Sequence, residues 1–165
     1  LKDWTGNKKS TFVTLGASSH SEHDREKHDY YATEPMAIDK LFNVIGDKLP
    51  TLVWECACGG LHLSHRMHVL LPRLSIYNSD LINRGFNCEI LDFLQYNNPN
   101  SFNGAIITNP PYKYAQEFVE KAIESVTDSN LVCMFLKLTF LEGQKRKKMF
   151  NKHPPKTVYI YQAED

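Results

Sequence analysis

The chain reads as a single α/β domain, a doubly wound and mostly parallel sheet, on three observations. Short apolar runs alternate with amphipathic helical stretches from residue 34 onward. The runs are continuously apolar rather than alternating, as expected of strands buried on both faces. The polar and acidic residues that punctuate them fall just after the runs, where such sheets bind ligands.

The elements follow in order. Residues 1–30 form a polar N-terminal arm containing "ASSHSEHDREKHD", and residues 31–165 form the domain. At Thr33-Glu34-Pro35 a helix begins, with Thr33 as N-cap and an early proline. Met36, Ile38, Leu41, Phe42 and Ile45 recur at helical spacing, and Gly46 fits the end. "TLVWECACGG" (51–60) is a strand running into a glycine pair, and "LSHRMHVLL" is a helix closed by Pro72. "LSIYNSDLI" is a second strand, with Asp80 near its C-terminal end, and "CEILDFL" (88–94) is a weaker third. "GAIITNPPY" is a fourth strand, followed by the amphipathic helix "AQEFVEKAIESV". "NLVCMFLKL" is a fifth strand, "FLEGQKRKKMF" a helix and "TVYIYQ" a sixth strand.

Composition narrows the function classes. The 165 residues are 42% hydrophobic and 12% aromatic, which suits one globular core. The formal net charge is zero, against a protein that grips a polyanion with its whole surface, though not against a local basic cleft. No apolar run is long enough for a membrane span. The chain opens Leu1-Lys2-Asp3-Trp4, which is no signal peptide and lacks an initiator Met, so a processed or partial cytoplasmic chain is expected. Cys56, Cys58, Cys88 and Cys133 read as free thiols.

Four clusters stand at strand ends. In "ECACGG", Glu55, Ala57 and Gly59 form a turn that brings backbone close to a ligand, with the next helix's amides behind it. No Gly-Lys-Ser/Thr follows, so it is not a phosphate loop, and Leu61 stands where a dinucleotide fingerprint needs its second glycine. The alternative is a plain tight turn. Asp80 lies some 20 residues on, the spacing of a carboxylate that holds ribose hydroxyls. Asp92 can accept from an exocyclic amine, and the Phe93 ring can stack on a purine.

Asn109-Pro110-Pro111-Tyr112 is the most specific of the four. The amine of adenine is a poor nucleophile because its lone pair is delocalised into the ring. The Asn109 side-chain oxygen and the Pro110 carbonyl can accept from its two N–H bonds and return electron density to nitrogen. Pro111 restricts Pro110, whose own φ is fixed, so that carbonyl is held rigidly. Tyr112 supplies a ring on which an extruded base can rest. The alternative, a proline-rich turn, leaves Asn109 and Tyr112 without a role.

With these residues in view, the chain resembles the class I S-adenosylmethionine-dependent methyltransferases, and more narrowly the small bacteriophage-type DNA N6-adenine methyltransferases. The segments "HDYYATEP", "WECACGGLHLS", "SDLINRGF", "LDFL", "ITNPPYKYAQEFVEKA" and "MFLKLTFLEGQKRKKMF" stand in that family's order, over about residues 11–161. The resemblance implies a Rossmann-like fold, S-adenosyl-L-methionine as cofactor and DNA, with a flipped adenine, as partner. Tyr31, Ala32 and Thr33 would touch the methionine end of the cofactor, and Glu55, Ala57 and Gly59 would lie under it. Asp80 with Leu81 would hold the ribose, Asp92 and Phe93 the adenine ring, and Asn109, Pro110, Pro111 and Tyr112 would be catalytic. The turn and the catalytic motif are too close in sequence to admit a target-recognition domain. Family members continue into a final hairpin strand, so truncation at the C-terminus is expected. The same Asn-Pro-Pro-Tyr chemistry also serves methylation of protein glutamine amides or of RNA bases, and a non-catalytic relative would keep the fold.

Two features compete for other roles. Cys56, Cys58, His62, His65 and His68 imitate a metal site, but histidines at steps of three drift around a helix, and no metal is expected. His20, His23 and His28 belong to the polar arm. Lys145-Arg146-Lys147-Lys148 reads as a wetted helix face, which in a nucleic-acid enzyme could contact phosphates together with Lys113.

Overall fold

The computed structural model describes residues 33–162. Helix α1 (Pro35–Ile45) leads into strand β1 (Leu52–Glu55), and helix α2 (His62–Leu70) into β2 (Ser75–Asp80). After the two-residue β3 (Glu89–Ile90) come β4 (Ala105–Thr108), helix α3 (Ala115–Ser125), β5 (Val132–Met134) and helix α4 (Lys147–Lys152). The five strands form one parallel sheet in the order β3-β2-β1-β4-β5. Its winding direction reverses between β1 and β4, where Val53 pairs with Ala105 and Trp54 with Ile106. This is the single-domain, Rossmann-like α/β architecture expected from the alternation of elements.

Period-two alternation splits the core between the two faces. Val53, Ala105 and Ile107 point to one side and pack with Ile38, Phe42 and Ile45 of α1 and Leu63 and Met67 of α2. Arg66 braces those two helices through a bidentate pair with Asp39, at 2.5 and 2.6 Å. Trp54 and Ile106 point to the other side and pack with Phe93 and with Phe118 and Ala122 of α3. The Trp54 ring is 1% exposed, with Tyr77, Phe93, Tyr96 and Phe102 at centroid distances of 4.9 to 5.2 Å. Its indole N–H donates to Ser79 Oγ at 2.9 Å, so burial leaves no donor unmet. Gly104 is needed for close approach: a Cβ there would stand 2.6 Å from the Leu52 carbonyl oxygen.

Several expectations are corrected. Residues 157–162 do not add a sixth strand. They follow Pro154-Pro155, and the Tyr161 ring lies under Lys40 Nζ of α1 at 5.2 Å. Val158, Tyr159 and Ile160 are left 47%, 50% and 73% exposed. The third apolar run pairs only through Glu89 and Ile90, because Asp92 caps a 3-10 turn over Phe93–Gln95. The helix expected over 140–150 is instead two 3-10 turns, Leu138–Glu142 and Gln144–Arg146, before α4. Gly143 is extended there, and the Arg146 side chain donates to the carbonyls of Phe140 and Thr139. The residue flanking α1 is Glu34, not Thr33, and its side chain makes no capping bond; Pro35 at the first position lacks the N–H that a cap would satisfy. Gly46 ends α1 in a right-handed conformation and continues into a 3-10 turn. Among the described residues no helix is long and apolar enough to cross a membrane. Tyr31, Ala32 and the arm of residues 1–30 lie outside the described residues.

Candidate functional site

The site residues gather at the carboxyl ends of β1, β2 and β4, around the reversal of winding. Residues 55–61 leave β1, and three hydrogen bonds shape them. Cys58 N–H donates to Ser79 O at 3.0 Å, Gly59 N–H to Asp80 Oδ2 at 2.8 Å and Leu61 N–H to Cys58 O at 2.8 Å. The end of β2 thus holds the turn after β1. Gly59 adopts φ +50°, and Leu61, the flanking residue of α2, adopts φ +64°. The second value explains what a glycine would do there: a left-handed conformation costs a side-chain-bearing residue about 1–2 kcal/mol.

Asp80 is buried, and both its oxygens take backbone donors, Gly59 on Oδ2 and Ile82 on Oδ1 at 2.9 Å. Each carboxylate oxygen can accept more than one bond, so acceptor capacity remains for a ligand hydroxyl. Leu81, directly after it, is 63% exposed. Asp92 Oδ1 accepts from Leu94 N–H at 3.0 Å. The Phe93 ring is committed to the core: it is 2% exposed, meets Trp54 edge-on and lies 5.3 Å from Phe118. Its faces are not open for stacking on a purine.

Glu55 is the most perturbed carboxyl group among the described residues. It is 1% exposed at the end of β1. Oε1 accepts from the Thr108 hydroxyl and, at 3.4 Å, from Ala57 N–H. Oε2 is buried and has no partner among the described residues. Burial pushes this carboxyl up to about 8, with Asp80 adding to the rise, while the bonds from Thr108 and Ala57 pull against it. The neighbouring Cys56 thiol is pushed well above its usual range by the same burial and by Glu55. Thr108, the last residue of β4 and fully buried, is a contributor that the sequence reading passed over. A threonine at a strand end carries no mark of which carboxylate lies across the sheet.

Asn109 follows Thr108 and is half-buried, Pro110 is buried, and Pro111 and Tyr112 are half-buried. The strand is released cleanly: Thr108 O accepts from Phe135 N–H of the β5 side at 2.9 Å, and neither proline that follows has an N–H to give. Pro111 is extended at φ −54° and ψ 126°, and Tyr112 opens a 3-10 turn closed by Tyr114 N–H on Pro111 O at 3.0 Å. Lys137, beyond β5, brings Nζ to 4.5 Å from the Tyr112 ring centroid, a contact the sequence did not announce. Of the basic run, Arg146 is used internally on Phe140, with its guanidinium 4.4 Å from that ring, while Lys145, Lys147 and Lys148 are exposed.

The fold therefore brings together Glu55, Ala57, Gly59, Asp80, Leu81, Asp92 and the Asn109–Tyr112 stretch at one end of the sheet. Phe93 lies beside them but is buried in the core cluster against which Ala57 packs. Among the described residues no group of histidine, cysteine and carboxylate side chains is arranged to hold a metal ion. No protein-family model matches the chain, and no curated protein matches it.

Proposed function

We propose that the protein transfers a methyl group from S-adenosyl-L-methionine to the N6 amine of adenine in DNA. The observation that carries the reading is the position of Asn109-Pro110-Pro111-Tyr112. It leaves the carboxyl end of β4 at the reversal of winding, one residue after the threonine bonded to Glu55 in the adjoining turn.

The donor set suits this cofactor. A buried carboxyl oxygen without a partner among the described residues and the acceptor capacity left on Asp80 match a cationic ligand that also carries hydroxyls. Glu55 and the 55–61 turn would lie under its methionine end, Asp80 would hold its ribose, and Asp92 would accept from its adenine. When bound, the cofactor supplies an electrophilic methyl carbon on a sulfonium sulfur. The chain's own contribution falls on the acceptor. Asn109 Oδ1 and the Pro110 carbonyl take the two N–H bonds of the target amine, hold its lone pair out of the ring and orient it. Tyr112 supports the extruded base. Exposed Lys113, Lys145, Lys147 and Lys148 offer positive charge to the phosphates, on an otherwise neutral chain.

Incubation with DNA and the cofactor, followed by nucleoside analysis, tests the reading, and N6-methyladenine is the expected product. Asn109→Ala should reduce the rate by at least 100-fold, about 3 kcal/mol of barrier, with cofactor affinity changed less than threefold. An equal loss of cofactor affinity would remove Asn109 from the acceptor role. Methylated guanine in RNA, or a methylated glutamine amide in protein, would keep the chemistry and change the substrate.

A further inference from the structure

We propose that the DNA this protein takes is single-stranded, held by two tyrosine–lysine pairs: Tyr112 with Lys137, and Tyr114 with Lys113. The inference rests on the role given to Tyr112 above and names the form of its substrate.

Both pairs are set by the way the chain leaves β4. Pro110 and Pro111 end the strand, and the 3-10 turn Tyr112–Tyr114, closed by Tyr114 N–H on Pro111 O at 3.0 Å, carries both rings within three residues. Tyr112 is half-buried, whereas Tyr114 is 43% exposed. Lys113 Nζ lies 5.2 Å from the Tyr114 ring centroid. Lys137 arrives from beyond β5. The bond from Phe135 N–H to Thr108 O, at 2.9 Å, lays the segment after β5 along the end of β4, and Lys137 Nζ stands 4.5 Å from the Tyr112 ring centroid. Arg146 fixes the turns that follow by donating to the Thr139 and Phe140 carbonyls. Residues 137–148 hold five cations, Lys137, Lys145, Arg146, Lys147 and Lys148, against Glu142 alone, on a chain whose 19 Lys and Arg equal its 19 Asp and Glu.

Rings interleaved with ammonium groups suit an unpaired strand, which offers base faces to the rings and phosphates to the charges in alternation. A duplex keeps its base faces stacked inside and offers a ring only the base that has been extruded. Tyr112 alone would serve that base. On a duplex the exposed Tyr114 beside it would have no base to meet; on a single strand the neighbouring nucleotide supplies one. The lysine contacts agree with this. A ring at the surface holds an ammonium weakly, and the four-carbon stem lets the charge turn to a phosphate as a base takes its place. Stacking adds affinity where a net charge of zero supplies little.

Fluorescence anisotropy with a labelled oligothymidine carrying one adenine, alone and annealed to its complement, tests the proposal without requiring methyl transfer. The single strand is expected to bind at least tenfold more tightly than the duplex. Tyr114→Ala should weaken single-strand binding roughly tenfold, the usual loss when a stacked base loses its ring, and Tyr114→Phe should restore it. Lys137→Gln and Lys113→Gln should each lower the slope of log affinity against log salt by about 0.7, the value for one phosphate contact on a single strand. Equal affinity for the two forms, single-strand binding untouched by Tyr114→Ala, or salt slopes untouched by both lysine changes would each overturn the proposal. Methyl transfer to duplex adenine at the single-strand rate removes this inference alone. Tight, Tyr114-dependent binding of the single strand with no methylated adenine keeps the surface and removes the methyl-transfer reading.

Discussion

Glu55→Gln should change how stability depends on pH, and the size of the effect follows from burial. The folded protein holds this carboxyl at about 8, against an ordinary value of 4.5 in the unfolded chain. Between those values the folded state binds a proton that the unfolded state has lost, so stability falls as pH rises, by about 1.4 kcal/mol per pH unit from this group. The contribution is intact below about 4.5 and is lost progressively on the way to 8; it amounts to roughly 5 kcal/mol over the window, of which about 3 kcal/mol is gone by pH 7. Glutamine keeps the oxygen that accepts from Thr108 and does not titrate. Its amide N–H groups replace the unpartnered Oε2, which costs roughly 1–3 kcal/mol at every pH. The variant should therefore be the less stable protein at pH 5 and the equal or more stable one at pH 8. Urea unfolding of both proteins at half-unit steps from pH 5 to 8 gives the difference directly, and groups common to both cancel. Parallel curves would refute the reasoning, because they would mean that Glu55 stays ionised while buried.

Two further predictions concern the elements around the site. Leu61→Gly releases a left-handed residue worth about 1–2 kcal/mol but loosens the unfolded chain by about 0.5–1 kcal/mol, so the net change in urea unfolding should stay within about 1 kcal/mol; a loss above 2 kcal/mol would show that the leucine side chain, not its backbone, matters. Phe93→Ala should cost about 3–5 kcal/mol of stability, as expected for deleting a fully buried ring between Trp54 and Phe118, and a cost below 1 kcal/mol with a large loss of cofactor affinity would return the ring to ligand binding.

Much of the fold was legible because continuous apolar runs and helical periodicity are local signals. "TLVWE", "AIIT" and "LVCM" each mark a strand whatever their neighbours, and Phe118 and Ala122 mark the inner face of their helix. "TVYIYQ" carries the same signal and forms no strand, because an apolar run becomes a strand only where tertiary packing brings it to a partner. The 140–150 stretch has helical composition but is broken at Gly143, where Arg146 satisfies carbonyls that helical amides would otherwise take. Asp92-Phe93 shows the same limit at the site: adjacent letters went to opposite uses, one side chain capping a turn and the other filling the core.

Order along the chain was enough to place Asn109-Pro110-Pro111-Tyr112 and Asp80 at strand ends, since those positions depend on residues next to them. Tertiary structure alone decided that Thr108 donates to Glu55, that Gly59 is held by Asp80, that Lys137 covers Tyr112 and that Glu55 Oε2 has no partner among the described residues. The first three of those facts join residues more than 20 positions apart. Burial and through-space contact set the charge state of a carboxyl, and neither is a property of the letters beside it.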